Sequence, residues 1–239
     1  MVFGCPGTLA SMPKALSPRR GQPRSAKPPT SGLPREVVAE LRRVARPGRS
    51  DQAIADLERA VTLLDRGDSK GAAAEATKAK RAASRSPAVR EVLGLALYGQ
   101  GRYREALSEM QTYKRMTGRA DENHIIADSL RATGRPDRAV ALAEEALAAP
   151  IPDAAKAEAA VVAGSALADM GRYDQALALL RRVRTRDDVA RPEVLRVWYV
   201  TADILARSGR RAEAVREFKK ILRHDAGAFD VAERLDQLA

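Results

Sequence analysis

A glycine recurs at residues 67, 101, 134, 171 and 209, at intervals of 34, 33, 37 and 38 residues, and an alanine stands five residues after each one. The fullest copies read Gly101-Arg-Tyr-Arg-Glu-Ala-Leu107 and Gly171-Arg-Tyr-Asp-Gln-Ala-Leu177. Weaker copies start at Gly134, Gly209 and Gly67. A period of this size argues for stacked units, each a small helical hairpin that hides its apolar face only against its neighbours.

The alanines are Ala72, Ala106, Ala139, Ala176 and Ala214. Seven residues before each glycine the chain is small again: Ala60, Gly94, Ala127, Gly164 and Ala202. Each glycine therefore ends one helix, where it takes a positive φ at no steric cost, and the next helix follows. The two small columns are expected to mark where the helices of a hairpin cross. A larger column lies further along the second helix, at Ala76, Met110, Ala143, Leu180 and Phe218.

On these residues the chain resembles the tetratricopeptide repeat family over about residues 50 to 226, with Trp198 and Leu93 in the family's first-helix columns. The other copies depart at the tryptophan column, where they carry Asp56, Arg90, Asn123 and Ala160. The resemblance implies an all-α, right-handed superhelical solenoid of about five helix-turn-helix pairs, acting as a binding scaffold. Pro34-Arg-Glu-Val-Val38 and Asn123-His-Ile-Ile-Ala-Asp128 are also similar to actinobacterial repeat proteins of unassigned role.

Residues 1 to 33 read as a disordered basic tail, with six prolines and few large apolar residues. No apolar run precedes a cleavage site there, and the lone Cys5 suits a reducing, cytoplasmic setting. The formal charge is +11, of which residues 1 to 35 supply six positive charges and no negative one. Arginine outnumbers lysine 33 to 9, which fits the codon usage of a GC-rich genome as well as it fits a function. The longest apolar stretch, Val161 to Ala168, is too short to cross a bilayer.

Helices are expected over 34–45, 51–66, 69–82, 88–99, 103–117, 121–132, 136–148, 154–169, 173–184, 192–207 and 211–223, with a capping helix over 229–238. Pro34, Pro87, Pro136 and Pro192 mark helix starts, and Ser50 is read as an N-cap. The first helix, with Val37, Val38, Leu41 and Val44, is expected to cover Ile54, Leu57, Val61 and Leu64 of the first repeat. At the far end, Phe229, Ala232, Leu235 and Leu238 are expected to pack inward, with Asp230, Glu233, Arg234 and Asp236 in water.

No catalytic motif, phosphate loop or metal-binding spacing is present, so no catalytic residue, metal or cofactor is assigned. The resemblance instead implies a groove lined by the first helices. Its columns hold Glu91, Leu95 and Tyr98, then Asp121, His124, Asp128 and Arg131. They continue with Glu158, Val161, Ser165 and Asp169, then Arg196, Tyr199, Asp203 and Arg207. Leu57 and Val61 stand where the carboxylate-clamp subclass needs polar residues, which argues against that subclass.

Six carboxylates in these columns predict a partner protein whose segment carries Lys or Arg, with Tyr98 and Tyr199 giving apolar contact and the tail competing in cis. An alternative is nucleic acid bound through the tail and the basic second helices, among them Arg181, Arg182, Arg184, Lys219 and Arg223.

Overall fold

The computed structural model of the protein describes residues 32–185 and 190–238. The readings of the chain before residue 32, including a tail that competes for the groove, lie outside the described residues. Among the described residues there are twelve α-helices and no strand. They form two compact units whose boundary in sequence lies between Gly118 and Arg119.

The first unit holds α1 (Arg35–Val44), α2 (Ser50–Asp65), α3 (Ser69–Ala82), α4 (Pro87–Gly99) and α5 (Tyr103–Thr117). Leu41 of α1 is fully buried in one cluster with Ile54, Leu57 and Val89, and Val37, Val38, Val44 and Val61 pack at its edge. Thus α1 does cover the apolar first helix of the first pair. Leu33 belongs to the same cluster, so the solvated segment read from residues 1 to 33 reaches too far. Ser50 is not a cap but the first helical residue. The preceding turn, in which Arg49 N–H donates to the Arg46 carbonyl at 2.9 Å, brings the chain into the helix one residue early.

All five turn glycines have φ between +71° and +80°. In each turn the residue after the glycine donates its N–H to a leucine carbonyl five residues back: Leu63, Leu97, Leu130, Leu167 or Leu205, at 2.9–3.0 Å. This bond is the signature of a Schellman ending and satisfies a carbonyl that the helix leaves free. Leucine at this position in all five copies is a regularity that the glycine and alanine columns had left unread.

At two of the pairs the first helix carries a glycine where a large side chain of the second helix comes in. The atoms nearest a Cβ built on Gly94 belong to Met110, and those nearest one on Gly164 belong to Leu180. A missing side chain on the first helix is therefore filled by a large one on the second. Ala72, Ala106, Ala139, Ala176 and Ala214 are all fully buried.

The second unit holds α6 (Asn123–Ala132), α7 (Pro136–Ala148), α8 (Asp153–Asp169), α9 (Tyr173–Leu180), α10 (Pro192–Arg207), α11 (Arg211–His224) and α12 (Val231–Gln237). The first helices α6, α8 and α10 pack side by side, and each also packs on its own second helix. Every residue of α8 from Ala159 to Ala168 is buried, because neighbours surround the helix and its small apolar residues run all round it.

Three boundaries differ from the sequence reading. α9 stops at Leu180, where its apolar residues end and arginines with nothing to bury begin. α6 starts at Asn123, because the Asp121 carbonyl is held in a turn by His124 Nδ1 at 3.1 Å. The last helix begins at Val231, which is fully buried, whereas Ala232 is exposed. Ala228 and Val231 are buried and the Arg234 guanidinium lies over Phe218, while Phe229 packs on Tyr199 as expected, so of the stripe read from every third residue Ala232 is the one that faces out.

Candidate functional site

The groove columns divide between the two units. In the first, Glu91 and Leu95 are half-buried on α4, and Tyr98 is buried, with its ring edge-on to Tyr103 at 5.7 Å. Tyr98 is therefore an interior residue and not the free contact area expected of it. Elsewhere in this unit, Glu109 of α5 lies between Lys80 and Arg90, each at 2.6 Å.

In the second unit the columns form a line of ion pairs. Asp128 and Arg131 lie one turn apart on α6, and Arg131 Nε donates to Asp128 Oδ1 at 2.8 Å. A second Arg131 nitrogen donates to Asp169 Oδ2 at the end of α8, at 2.7 Å. Asp169 Oδ1 accepts from Arg207 of α10 at 3.2 Å, and Arg207 also approaches Asp203 Oδ2 at 3.7 Å. Asp203 is bonded in turn to Arg234 of α12. One continuous ladder thus joins α6, α8, α10 and α12.

Beside it, Arg196 Nε of α10 donates to Glu158 Oε1 of α8 at 2.7 Å, and a terminal nitrogen of Arg196 reaches the same oxygen. Asp121 pairs with Arg119, and His124 Nε2 lies 3.9 Å from Glu122. Val161 and Ser165 are buried. The carboxylates are therefore not free acceptors awaiting a basic partner, because the chain supplies its own arginines.

The electrostatics follow burial. Only 4% of the Arg131 side chain and 1% of the Asp128 side chain are exposed. Burial opposes the Arg131 charge, but Asp128 and Asp169 favour it more strongly and hold its pKa above that of an ordinary arginine. Tyr199 is also buried, with Phe218 at 5.7 Å and Phe229 at 4.9 Å, and its hydroxyl donates to Asp230 Oδ1 at 2.6 Å. Burial first, then the bond to Asp230, raise the Tyr199 pKa well above its ordinary value.

The contacts from the chain end were missed. Asp230 and Arg234 were expected in water, yet they bond Tyr199 and Asp203, which also takes Tyr199 out of the contact area expected of it. A signal for the ladder was present in the sequence. Arg131 and Asp169, Glu158 and Arg196, and Asp169 and Arg207 are each 38 residues apart, so opposite charges recur at the length of one repeat.

Among the described residues, no three His, Cys, Asp or Glu side chains lie together as a metal site, and no helix is long and apolar enough to cross a membrane.

Comparison with known proteins agrees with this architecture. A family model described as tetratrico peptide repeat matches residues 123–226, and one described as tetratricopeptide repeat matches residues 57–121. No curated protein matches the chain. Among solved structures, a thermophilic TPR protein of Thermus thermophilus is similar with a TM-score of 0.64 at 18% identity, over 78% of this chain and 98% of that one. YrrB, a TPR protein with an unusual peptide-binding site, gives a TM-score of 0.52 at 20% identity, over 77% and 92% of the two chains. PilF of Pseudomonas aeruginosa gives 0.57 at 16% identity, over 74% and 78%. At these identities the likeness is one of fold.

Proposed function

Because the chain belongs to the tetratricopeptide repeat family, we propose that it is a non-catalytic scaffold that binds a segment of a partner protein along α6, α8 and α10. The observation that carries this reading is the row of side chains those three packed helices hold in fixed positions, from Asp128 to Arg207. A face already ordered by its own ion pairs leaves only the partner's segment to be ordered on binding. The peptide-binding site for which YrrB is described agrees with this use of the fold. The non-catalytic reading is supported by the carboxylates themselves, which are already bonded to the chain's own guanidiniums.

Net charge does not select the partner. The columns of this unit hold Asp121, Asp128, Glu158, Asp169 and Asp203 against Arg131, Arg196 and Arg207. Arg119 and Arg234 bring the face into balance. Recognition of Lys or Arg in the partner therefore rests on particular lone pairs. Glu158 is the best placed, since both bonds from Arg196 fall on Oε1 and leave Oε2 for a ligand.

A random-peptide display selection on the full chain tests the reading, with selected peptides re-measured on Glu158→Gln plus His124→Ala. Peptides bearing Lys or Arg that bind the variant at least about tenfold more weakly, a difference of about 1.4 kcal/mol, are expected. Failure to select any peptide, or equal binding to the variant, would reject this face as the site.

A further inference from the structure

The second unit treats its arginines in two ways. On the first helices, Arg131, Arg196 and Arg207 are all ion-paired. On the second-helix side, Arg181, Arg182 and Arg184 follow the end of α9, and Arg216, Lys219 and Arg223 stand on α11. All six are exposed, and none makes an ion pair among the described residues. The three on α11 are spaced by three and four residues, which puts them on one helix face.

The two groups come together at Arg181 and Arg216, which both act on one carboxylate. Glu213 near the start of α11 has its pKa lowered chiefly by its bond from Arg210, and Arg216 and Arg181 both add to that lowering. The acids between the cations are already engaged: Glu213 by Arg210 at 2.6 Å, and Glu217 by Lys220 at 2.7 Å.

We propose that this surface binds the phosphate backbone of a nucleic-acid duplex. Five of the six cations are arginines, whose planar fork matches phosphate oxygens. Their extended spread suits a polyanion with regularly spaced charges better than one small ligand. The nearby aromatic ring, Trp198, is buried with the Lys220 ammonium 4.4 Å from its centroid, so it offers no surface on which an unpaired base would stack. Binding is accordingly to the backbone, independent of base sequence. It uses residues of α11 and of the segment after α9, not the first-helix row, and does not rest on that reading.

The test is fluorescence anisotropy of a labelled DNA duplex of mixed sequence with the full chain, over a series of salt concentrations. The variant Arg181→Gln, Arg182→Gln, Arg216→Gln, Lys219→Gln is compared with Lys70→Gln, Arg81→Gln, Arg85→Gln, Arg104→Gln, which neutralises four exposed cations of the first unit. The first variant is expected to bind at least about tenfold more weakly, with a salt dependence shallower by about 0.9 per lost phosphate contact. The second is expected to bind as the natural chain does. Absence of duplex binding at low salt overturns the proposal, as does equal weakening in both variants, which would mean diffuse attraction by net charge. Binding of phosphatidylglycerol vesicles without binding of the duplex would assign the surface to a membrane instead and likewise overturn it.

Discussion

Gly94 and Met110 share one space: a Cβ on Gly94 would stand 2.3 Å from Met110 Sδ and 2.6 Å from Met110 Cγ. Met110 is fully buried, so its side chain can make room only by repacking. Gly94→Ala is expected to destabilise the first unit by about 1–3 kcal/mol through overpacking. Met110→Ala alone is expected to cost about 2–5 kcal/mol through the cavity it leaves. The double variant restores the alanine pair found at the equivalent positions, Ala60 and Ala76, and should cost clearly less than the two single changes added together. A double-mutant cycle by urea denaturation, followed by circular dichroism, checks this, and simple additivity would refute it. Gly164→Ala, whose Cβ would meet Leu180 at 3.1–3.3 Å, should be the milder change.

Gly171 raises a different physical issue. Its φ is +73°, and a Cβ built on it meets nothing within 4 Å. Any cost of Gly171→Ala is therefore conformational, about 1–2 kcal/mol for a side chain held in the left-handed region. Asparagine tolerates that region better, so Gly171→Asn should lose less than Gly171→Ala. Thermal melts of the two variants give the order directly.

Arg131 holds Asp128 inside the protein. Arg131→Ala would take the guanidinium away from that buried carboxylate, at a cost of about 3–5 kcal/mol. Replacing both groups, as in Arg131→Met with Asp128→Leu, should recover most of the loss, since an apolar pair has no charge to desolvate. Trp198, the single tryptophan of the chain, lies in the same unit, so its fluorescence in a urea titration reports the effect. A double variant as unstable as Arg131→Ala would contradict this account.

Tyr199 gives the second unit a dependence on alkaline pH. Its folded pKa lies above the ordinary 10.0, through burial and the bond to Asp230. Between the ordinary and the raised value the folded state binds more protons than the unfolded one, so stability falls as pH rises through that window. Below it the contribution is fully present. Tyr199→Phe should abolish the alkaline loss, while removing a bond to a charged acceptor that is worth about 1.5–3 kcal/mol at neutral pH. Denaturation midpoints of both proteins from pH 7 upward check it, and parallel curves for the two would refute it.

Much of the fold was legible because it depends on local rules repeated five times. The glycine at each turn, the alanine five residues on and the prolines at Pro87, Pro136 and Pro192 fix helix ends through backbone geometry, which a sequence states outright. The pattern Val37, Val38, Leu41 and Val44 likewise announced a helix that needed an apolar surface, and Leu57 and Val61 announced one that needed covering. Helix ends drifted where a side chain competed with the helix, as His124 does for the Asp121 carbonyl, or where the apolar residues ran out, as after Leu180.

For the candidate site, the sequence period put Asp128, Glu158, Asp169, Arg196 and Arg207 on successive first helices, and the family resemblance singled out their columns. Only the tertiary structure decided what their charges do. Whether Asp169 meets Arg131 and Arg207, or water, depends on how closely α6, α8 and α10 approach and on the rotamers that packing allows. The same holds at the chain end, where Asp230 and Arg234 turn inward because Val231 fixes the register of α12. A sequence lists charges along one dimension, whereas an ion pair between repeats is set by a distance between helices that no single repeat encodes.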